Sequence, residues 1–336
     1  MSSNDTLSHV LRSIRLRGAV FFYISCGAEW AAEAPPGAEV RASVMPGLDH
    51  VMEYHVMAKG RGWAAIPGEA PVQLQAGDIV IFPHGDAHIM SSAPGMRPIK
   101  REPEWVYAHR GDPKPIPVNY HGADRMSFDA PLSDAATNVV CGFLGCDLRP
   151  FNPLIASLPR LLHLPAAQEN GWIVQLMQQA VSASQNRQPG SEAVLERMSE
   201  MMFVDAVRRH IERLPEEATG WLGGLRDRYV GKALGLMHAQ PGRDWSVDLL
   251  AKEVALSRSA LYDRFVQYLG QPPMQYLANW RMQVAANLLR QGDMPVASIA
   301  LEAGYESEAA FARAFKRYIG RPPATWRREM AARGQT

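Results

Sequence analysis

The sequence predicts an α+β chain of more than one domain: a β-rich N-terminal half, a helical connector and an all-α C-terminal half. Three observations predict it. Short apolar runs punctuated by glycine and proline fill residues 19–143, helical spacing of apolar side chains takes over after Pro153, and one unit near the C-terminus is written twice. Ser257, Ala260, Phe265, Tyr268, Gly270, Pro272 and Pro273 recur as Ser307, Ala310, Phe315, Tyr318, Gly320, Pro322 and Pro323, always 50 residues on. A length of 336 residues allows about two domains, each with its own core.

In chain order, Thr6 to Leu16 reads as a short amphipathic helix. Ala19–Ser25, Glu39–Val44, Met52–Met57, Trp63–Ile66, Val72–Leu74, Asp78–Phe82, Ala87–Met90 and Thr137–Phe143 read as strands, spaced as in a sandwich or small barrel. Strand alternation puts Glu53 and His55 on one face. Cys141 and Cys146 fall on opposite faces, so a bond between them needs the intervening glycines to bend the chain. With Cys26 they make three cysteines, an odd number that does not point to a secreted disulfide scaffold. Their ordinary reading is small buried hydrophobes; the sharper one is a thiol switch or a soft metal site.

Leu154–His163, Trp172–Ser184 and Ser191–Arg213 read as helices of the connector. The last carries Val194, Leu195, Met198, Met201, Met202 and Val207 on a broad face, expected either to dimerise or dock, or to be plain core. Gln185–Gly190 and Leu214–Gly224 are the linker candidates. The expected domains are therefore 1-150, 151-220 and 221-336.

Each copy of the repeat reads as helix, tight turn, helix. In the first, Ser246 caps a helix with Leu249, Leu250 and Val254, the chain breaks at Ala255-Leu256, and Ser257 caps a second helix with Leu261, Phe265 and Leu269 inward before Gly270. The second opens at Pro295, carries Ile299 and Leu301, turns at Gly304, is capped at Ser307, points Phe311 and Phe315 inward and stops at Gly320. Two such units read as helix-turn-helix pairs, whose second helices enter the DNA major groove. The joining segment, Pro273 to Arg290, would be roughly 27 Å long as a helix, near the ~34 Å between successive major grooves. From Arg226 onward there are 16 Lys/Arg against 10 Asp/Glu, while the remainder is net negative, so the basic excess sits with the repeat.

The stretch Ile299-Ala300-Leu301-Glu302-Ala303-Gly304-Tyr305, then Phe311-Ala312-Arg313-Ala314-Phe315-Lys316, Gly320-Arg321-Pro322-Pro323 and Trp326-Arg327 resembles the signature of the AraC/XylS transcription regulators. The resemblance covers the last hundred or so residues and implies sequence-specific binding of double-stranded operator DNA. On this reading Arg258, Ser259 and Tyr262 of the first recognition helix and Glu308 and Arg313 of the second read bases, with Asp263 and Ala312 as weaker neighbours. Lys316, Arg317, Arg321 and Arg327 bind phosphates.

Gly77-Asp78-Ile79-Val80-Ile81-Phe82-Pro83-His84-Gly85-Asp86-Ala87-His88 resembles the second cupin motif, and Glu53-Tyr54-His55 sits where cupins carry His-x-His. The resemblance implies a β-barrel sensor that binds a small effector near Glu53, His55 and His88. It also implies a possible divalent metal such as zinc on Glu53, His55 and His88, with His50 or His84 as a fourth ligand. The usual downstream glutamate is missing: Lys59, Gly60 and Arg61 stand there. The expectation is a regulator and not an enzyme, cytoplasmic, homodimeric and able to contact RNA polymerase. The alternatives are a thiol- or metal-responsive regulator using the cysteines or these histidines, and a cupin metalloenzyme fused to a DNA-binding domain. No signal peptide or membrane-length apolar run is read in the sequence.

Overall fold

The computed structural model describes residues 5–98, 114–122, 125–128, 131–132, 134–166, 175–177, 179, 182, 188–292 and 294–333. The first elements are α1 (Thr6–Ser13), β1 (Arg17–Cys26), β2 (Ala31–Ala34), α2 (Gly37–Val44), β3 (His50–Lys59), β4 (Arg61–Ala65) and β5 (Val72–Gln75). Then come β6 (Ile79–Phe82), β7 (His88–Ser91), β8 (Ile116–Tyr120), β9 (Met126–Ser127), β10 (Thr137–Cys146), α3 (Pro153–Ala156) and β11 (Leu162–Leu164). Helices α4 (Ser191–Arg213), α5 (Gly220–Arg226), α6 (Arg228–Ala239), α7 (Val247–Val254), α8 (Arg258–Leu269) and α9 (Pro273–Arg290) follow. The chain closes with α10 (Val296–Glu302), α11 (Glu308–Ile319) and α12 (Pro323–Arg333). No described helix is long and apolar enough to cross a membrane.

These elements fall into two units: Leu16–Cys146 with Leu158–His210, and Met1–Arg15 with Asp147–Ser157 and Ile211–Thr336. The division differs from the 1-150, 151-220 and 221-336 of the sequence reading. The first helix and the segment after β10 belong with the C-terminal helices, because the contacts that hold them are made there.

The β-rich unit consists of a seven-stranded sheet, β11-β6-β3-β10-β1-β8-β9, and a four-stranded sheet, β2-β7-β4-β5. Parity along each strand sorts the side chains. Val51 and Met57 of β3, Val80 and Phe82 of β6, Cys141 and Phe143 of β10, and Phe22, Ile24 and Cys26 of β1 join one buried cluster with Trp30, Ala64, Leu74 and Met90. Tyr54, on the opposite face of β3, shares a 2.6 Å hydrogen bond with Ser199 of α4. Burial of the Tyr54 phenol raises its pKa far above that of an exposed tyrosine. Glycine is required where α4 meets this sheet: a Cβ on Gly18 would lie 2.5 Å from the Ser199 Cβ.

Two sequence readings are corrected. Glu39–Val44, read as a strand, is the end of α2; its buried residues Gly37, Val40 and Val44 recur at helical spacing, and a six-residue window does not separate that from alternation. Leu154–His163, read as a helix, holds only the one-turn α3 before β11 pairs antiparallel with β6. β2 and β8 were not read from the sequence; β8 pairs parallel with β1. Most of Trp172–Ser184 and half of Gln185–Gly190 lie outside the described residues.

In the helical unit the caps act as the repeat predicts. Ser246, Ser257 and Ser307 accept hydrogen bonds from the amides of Leu249, Ala260 and Ala310, and Gly270 and Gly320 end α8 and α11 in the left-handed region at φ 66° and 84°. α9 spans Pro273–Arg290, as the spacing predicts. The two turns differ: Gly304 has φ 79°, whereas the first turn places Ala255 at φ 60°, a conformation that costs a β-carbon about 1 kcal/mol. α1 and its C-cap bury Val10 and Ile14 in this unit, and the buried Gln283 of α9 donates to Ser13 O at 2.8 Å and accepts from the Phe151 amide at 3.0 Å.

Candidate ligand site and nucleic-acid interface

The candidate ligand site bridges the two sheets. β3 of the larger sheet supplies Glu53 and His55 from its interior-facing side, and β7 of the smaller sheet begins with His88. One oxygen of Glu53 and one nitrogen from each imidazole lie within 4.8 Å of one another, the one such group of three found among the described residues. His55 Nε2 and His88 Nε2 are 2.7 Å apart, and Glu53 oxygens stand 3.9 and 4.0 Å from them. Both histidines are buried, and His88 stacks on Phe82 with ring centroids 3.5 Å apart.

The far side of each ring is tied as well. His88 Nδ1 lies 2.9 Å from the Asp86 carbonyl, which only accepts, so Nδ1 donates and neutral His88 turns the lone pair of Nε2 into the site. His55 Nδ1 lies 2.8 Å from Cys141 Sγ. In the neutral network His55 therefore donates from Nε2 to His88, and the Cys141 thiol donates to Nδ1. Two imidazoles and a carboxylate suit a divalent first-row transition ion better than calcium or magnesium, which favour oxygen donors. Bonds of ~2.0–2.1 Å would set the two nitrogens roughly 2.9–3.4 Å apart, so the rings need part by about 0.2–0.7 Å.

His50 and His84, expected as fourth ligands, do not join this group. His50 Nε2 is 2.6 Å from Pro83 O, and His84 Nε2 is 2.8 Å from Leu158 O. Burial lowers the His50 pKa, only partly opposed by its bond to Pro83. The adjoining cavity is about 20 Å³ and is lined by Ile24, Trp30, Glu53, His55, Met90 and Cys141, among others. Cys26, Cys141 and Cys146 are all buried. Cys141 is the residue sequence reasoning missed as a partner of His55: it faces His55 directly in the β10–β3 register, and no local motif encodes that pairing.

In the helical unit, Leu261 and Phe265 of α8 and Phe311 and Phe315 of α11 are fully buried. Arg258, Ser259, Tyr262, Glu308 and Arg313 of the same two helices are exposed. Tyr262 is 45% exposed and Val266, one turn on, 39%, an apolar pair on the open face of a helix whose other side is core. Arg258 approaches Asp248 at 3.5 Å, both well exposed, a pair that contributes little. Lys316 and Arg317 are exposed on α11. Arg321 pairs with Glu329, and half-buried Arg327 donates to Met294 O at 2.6 Å, so a phosphate contact from either exchanges an existing bond. At the start of α6, burial pushes the Asp227 carboxyl up, but Arg264 and the amides of Val230 and Tyr229 outweigh it and hold the pKa below the usual value.

Comparison with known proteins finds a cupin family matching residues 5–212 and a helix-turn-helix domain family matching residues 250–329. An AraC-like transcription regulator of Streptomyces lividans is 30% identical over 328 residues, 96% of this chain and 98% of that protein. The HTH-type transcriptional regulator AlkR of Acinetobacter baylyi is 26% identical over 330 residues, 97% of this chain and 99% of that one. Among solved structures, the DNA-binding domain of AdpA in complex with a target DNA is 28% identical and covers 32% of this chain and 96% of its own, with a TM-score of 0.31.

Proposed function

The chain belongs to the AraC-like transcription regulators with an N-terminal cupin domain, and we propose that its cupin half is a receptor whose ligand is a divalent transition ion such as zinc. The observation that supports this most is the match of size and chemistry at one point. Glu53, His55 and His88 converge there, and the adjoining cavity of about 20 Å³ has room for an ion or a water, against the ~300–1,000 Å³ of pockets for organic ligands. A small organic effector at these residues would require Trp30 and Met90 to part.

The ion joins a strand of each sheet, so its occupancy favours the barrel state in which β3 and β7 are close. It shifts operator binding or polymerase contact only by the difference in its affinity for the two states. On this reading the protein regulates and does not turn over a substrate. It acts in the cytoplasm on operator DNA, and as a homodimer through α4, where Val194 and Met201 are 50% and 54% exposed two turns apart.

The test uses full-length protein, stripped with chelator and reloaded with zinc, and an operator selected from random duplexes. We expect one ion per chain by mass spectrometry and a change of at least about fivefold in operator affinity on loading. The His55→Ala/His88→Ala variant should bind no ion and keep its basal DNA binding. Equal zinc content in that variant, or an operator affinity indifferent to zinc, would refute the reading; an organic compound that alone restores the response would move it to a small-molecule receptor.

A further inference from the structure

We propose that Cys141 is a positioning residue for the ion at Glu53, His55 and His88, an inference that rests on the metal reading above. Ligating histidines are aimed by whatever bonds the nitrogen that does not face the metal. For His88 that partner is the Asp86 carbonyl, 2.9 Å from Nδ1. For His55 it is the Cys141 sulfur, 2.8 Å from Nδ1, held opposite His55 by the pairing of β10 with β3. Both bonds leave Nε2 facing the common point.

The two supports differ in what they can do. A backbone carbonyl is a permanent acceptor. A thiol either donates or accepts, so His55 can carry its proton on Nε2, toward His88, or on Nδ1, toward sulfur. With an ion on Nε2 the proton resides on Nδ1, and Sγ serves as its acceptor. Cys141 itself stays outside the group of three whose donor atoms lie within 4.8 Å of one another, so its place is behind a ligand and not among the ligands.

The experiment is a cobalt(II) titration of the full chain, followed by visible d–d absorption, for the wild type and for Cys141→Ser, Cys141→Val and Cys146→Ala. Serine keeps an acceptor at the β-carbon substituent; valine fills the space without one. The expected result is cobalt affinity reduced about 10- to 100-fold with altered d–d bands in Cys141→Val. Cys141→Ser should stay within about threefold of the wild type, and Cys146→Ala, which removes a buried thiol from the other face of β10, should be unchanged. If valine preserves affinity and spectrum while serine loses them, Cys141 only fills space and the proposal fails. An intense near-ultraviolet sulfur-to-cobalt band would make Cys141 a ligand and overturn the positioning role. A wild type that takes up no cobalt removes the metal reading itself, whereas a wild type that binds while all three variants bind equally removes only the role of Cys141.

Discussion

Asp147→Ala tests what holds Arg15 and the segment after β10 to α9 within the helical unit. The carboxylate is 1% exposed and lies between two guanidinium groups, Arg15 at 2.6 and 2.7 Å and Arg290 at 2.9 Å. Arg15 is 38% exposed and recovers solvation when its partner goes; Arg290 is 10% exposed and does not. Breaking a buried pair from one side costs about 3–5 kcal/mol because an uncompensated charge remains. Arg290 keeps Asn287 Oδ1 at 3.1 Å, Arg149 O at 3.3 Å and the Trp326 ring at 5.0 Å. The lower end, about 3 kcal/mol, is therefore expected. With a urea slope of roughly 2 kcal/mol/M, the unfolding midpoint of the helical unit should fall by about 1.5 M. Urea titration followed by tryptophan fluorescence reads it, since Trp221, Trp245, Trp280 and Trp326 are buried in this unit. Arg290→Met added to Asp147→Ala should recover part of the loss, because the stranded charge is gone. A loss below about 1 kcal/mol, or strictly additive effects in the double variant, would refute the reasoning.

Three further outcomes are expected. Arg313→Ala should weaken binding to the selected operator by about 1–3 kcal/mol and relax preference at one base pair; equal weakening on every duplex would make it a phosphate contact. Ala255→Gly should raise stability by about 0.5–1 kcal/mol in thermal unfolding, since glycine adopts φ 60° without strain; a lowered midpoint would contradict that. His238 stacks on Trp280, with ring centroids 3.8 Å apart, and its Nε2 shares a 2.8 Å hydrogen bond with the Tyr276 hydroxyl, whose oxygen accepts from Trp221. Burial, then the nearby His9, hold its pKa well below 6.5. The unfolded chain binds that proton first, so the contribution is complete above the unfolded pKa and is lost as pH falls below it, at up to about 1.4 kcal/mol per pH unit. His9, also lowered by burial, adds in the same direction. Stability of the helical unit measured from pH 8 to 5 should drop accordingly and flatten in His238→Phe; an unchanged profile would exclude His238 as its source.

What the sequence determined by itself is whatever local chemistry decides. The serine caps and left-handed glycines of the repeat act within four residues, so both helix-turn-helix units and the full span of α9 were legible. Parity along one strand sufficed to pair Glu53 with His55, and the second cupin motif placed His88 beside them. α2 was missed because a short window does not separate two helical turns from a strand. The remaining features depend on partners far away in the chain. His50 and His84 satisfy the carbonyls of Pro83 and Leu158 instead of a metal, Cys141 meets His55 across 86 residues, and Asp147 meets Arg15 across 132. Strand register and buried charge pairing are settled when the sheets close and the helices pack, because only then does desolvation force each polar group to find its partner.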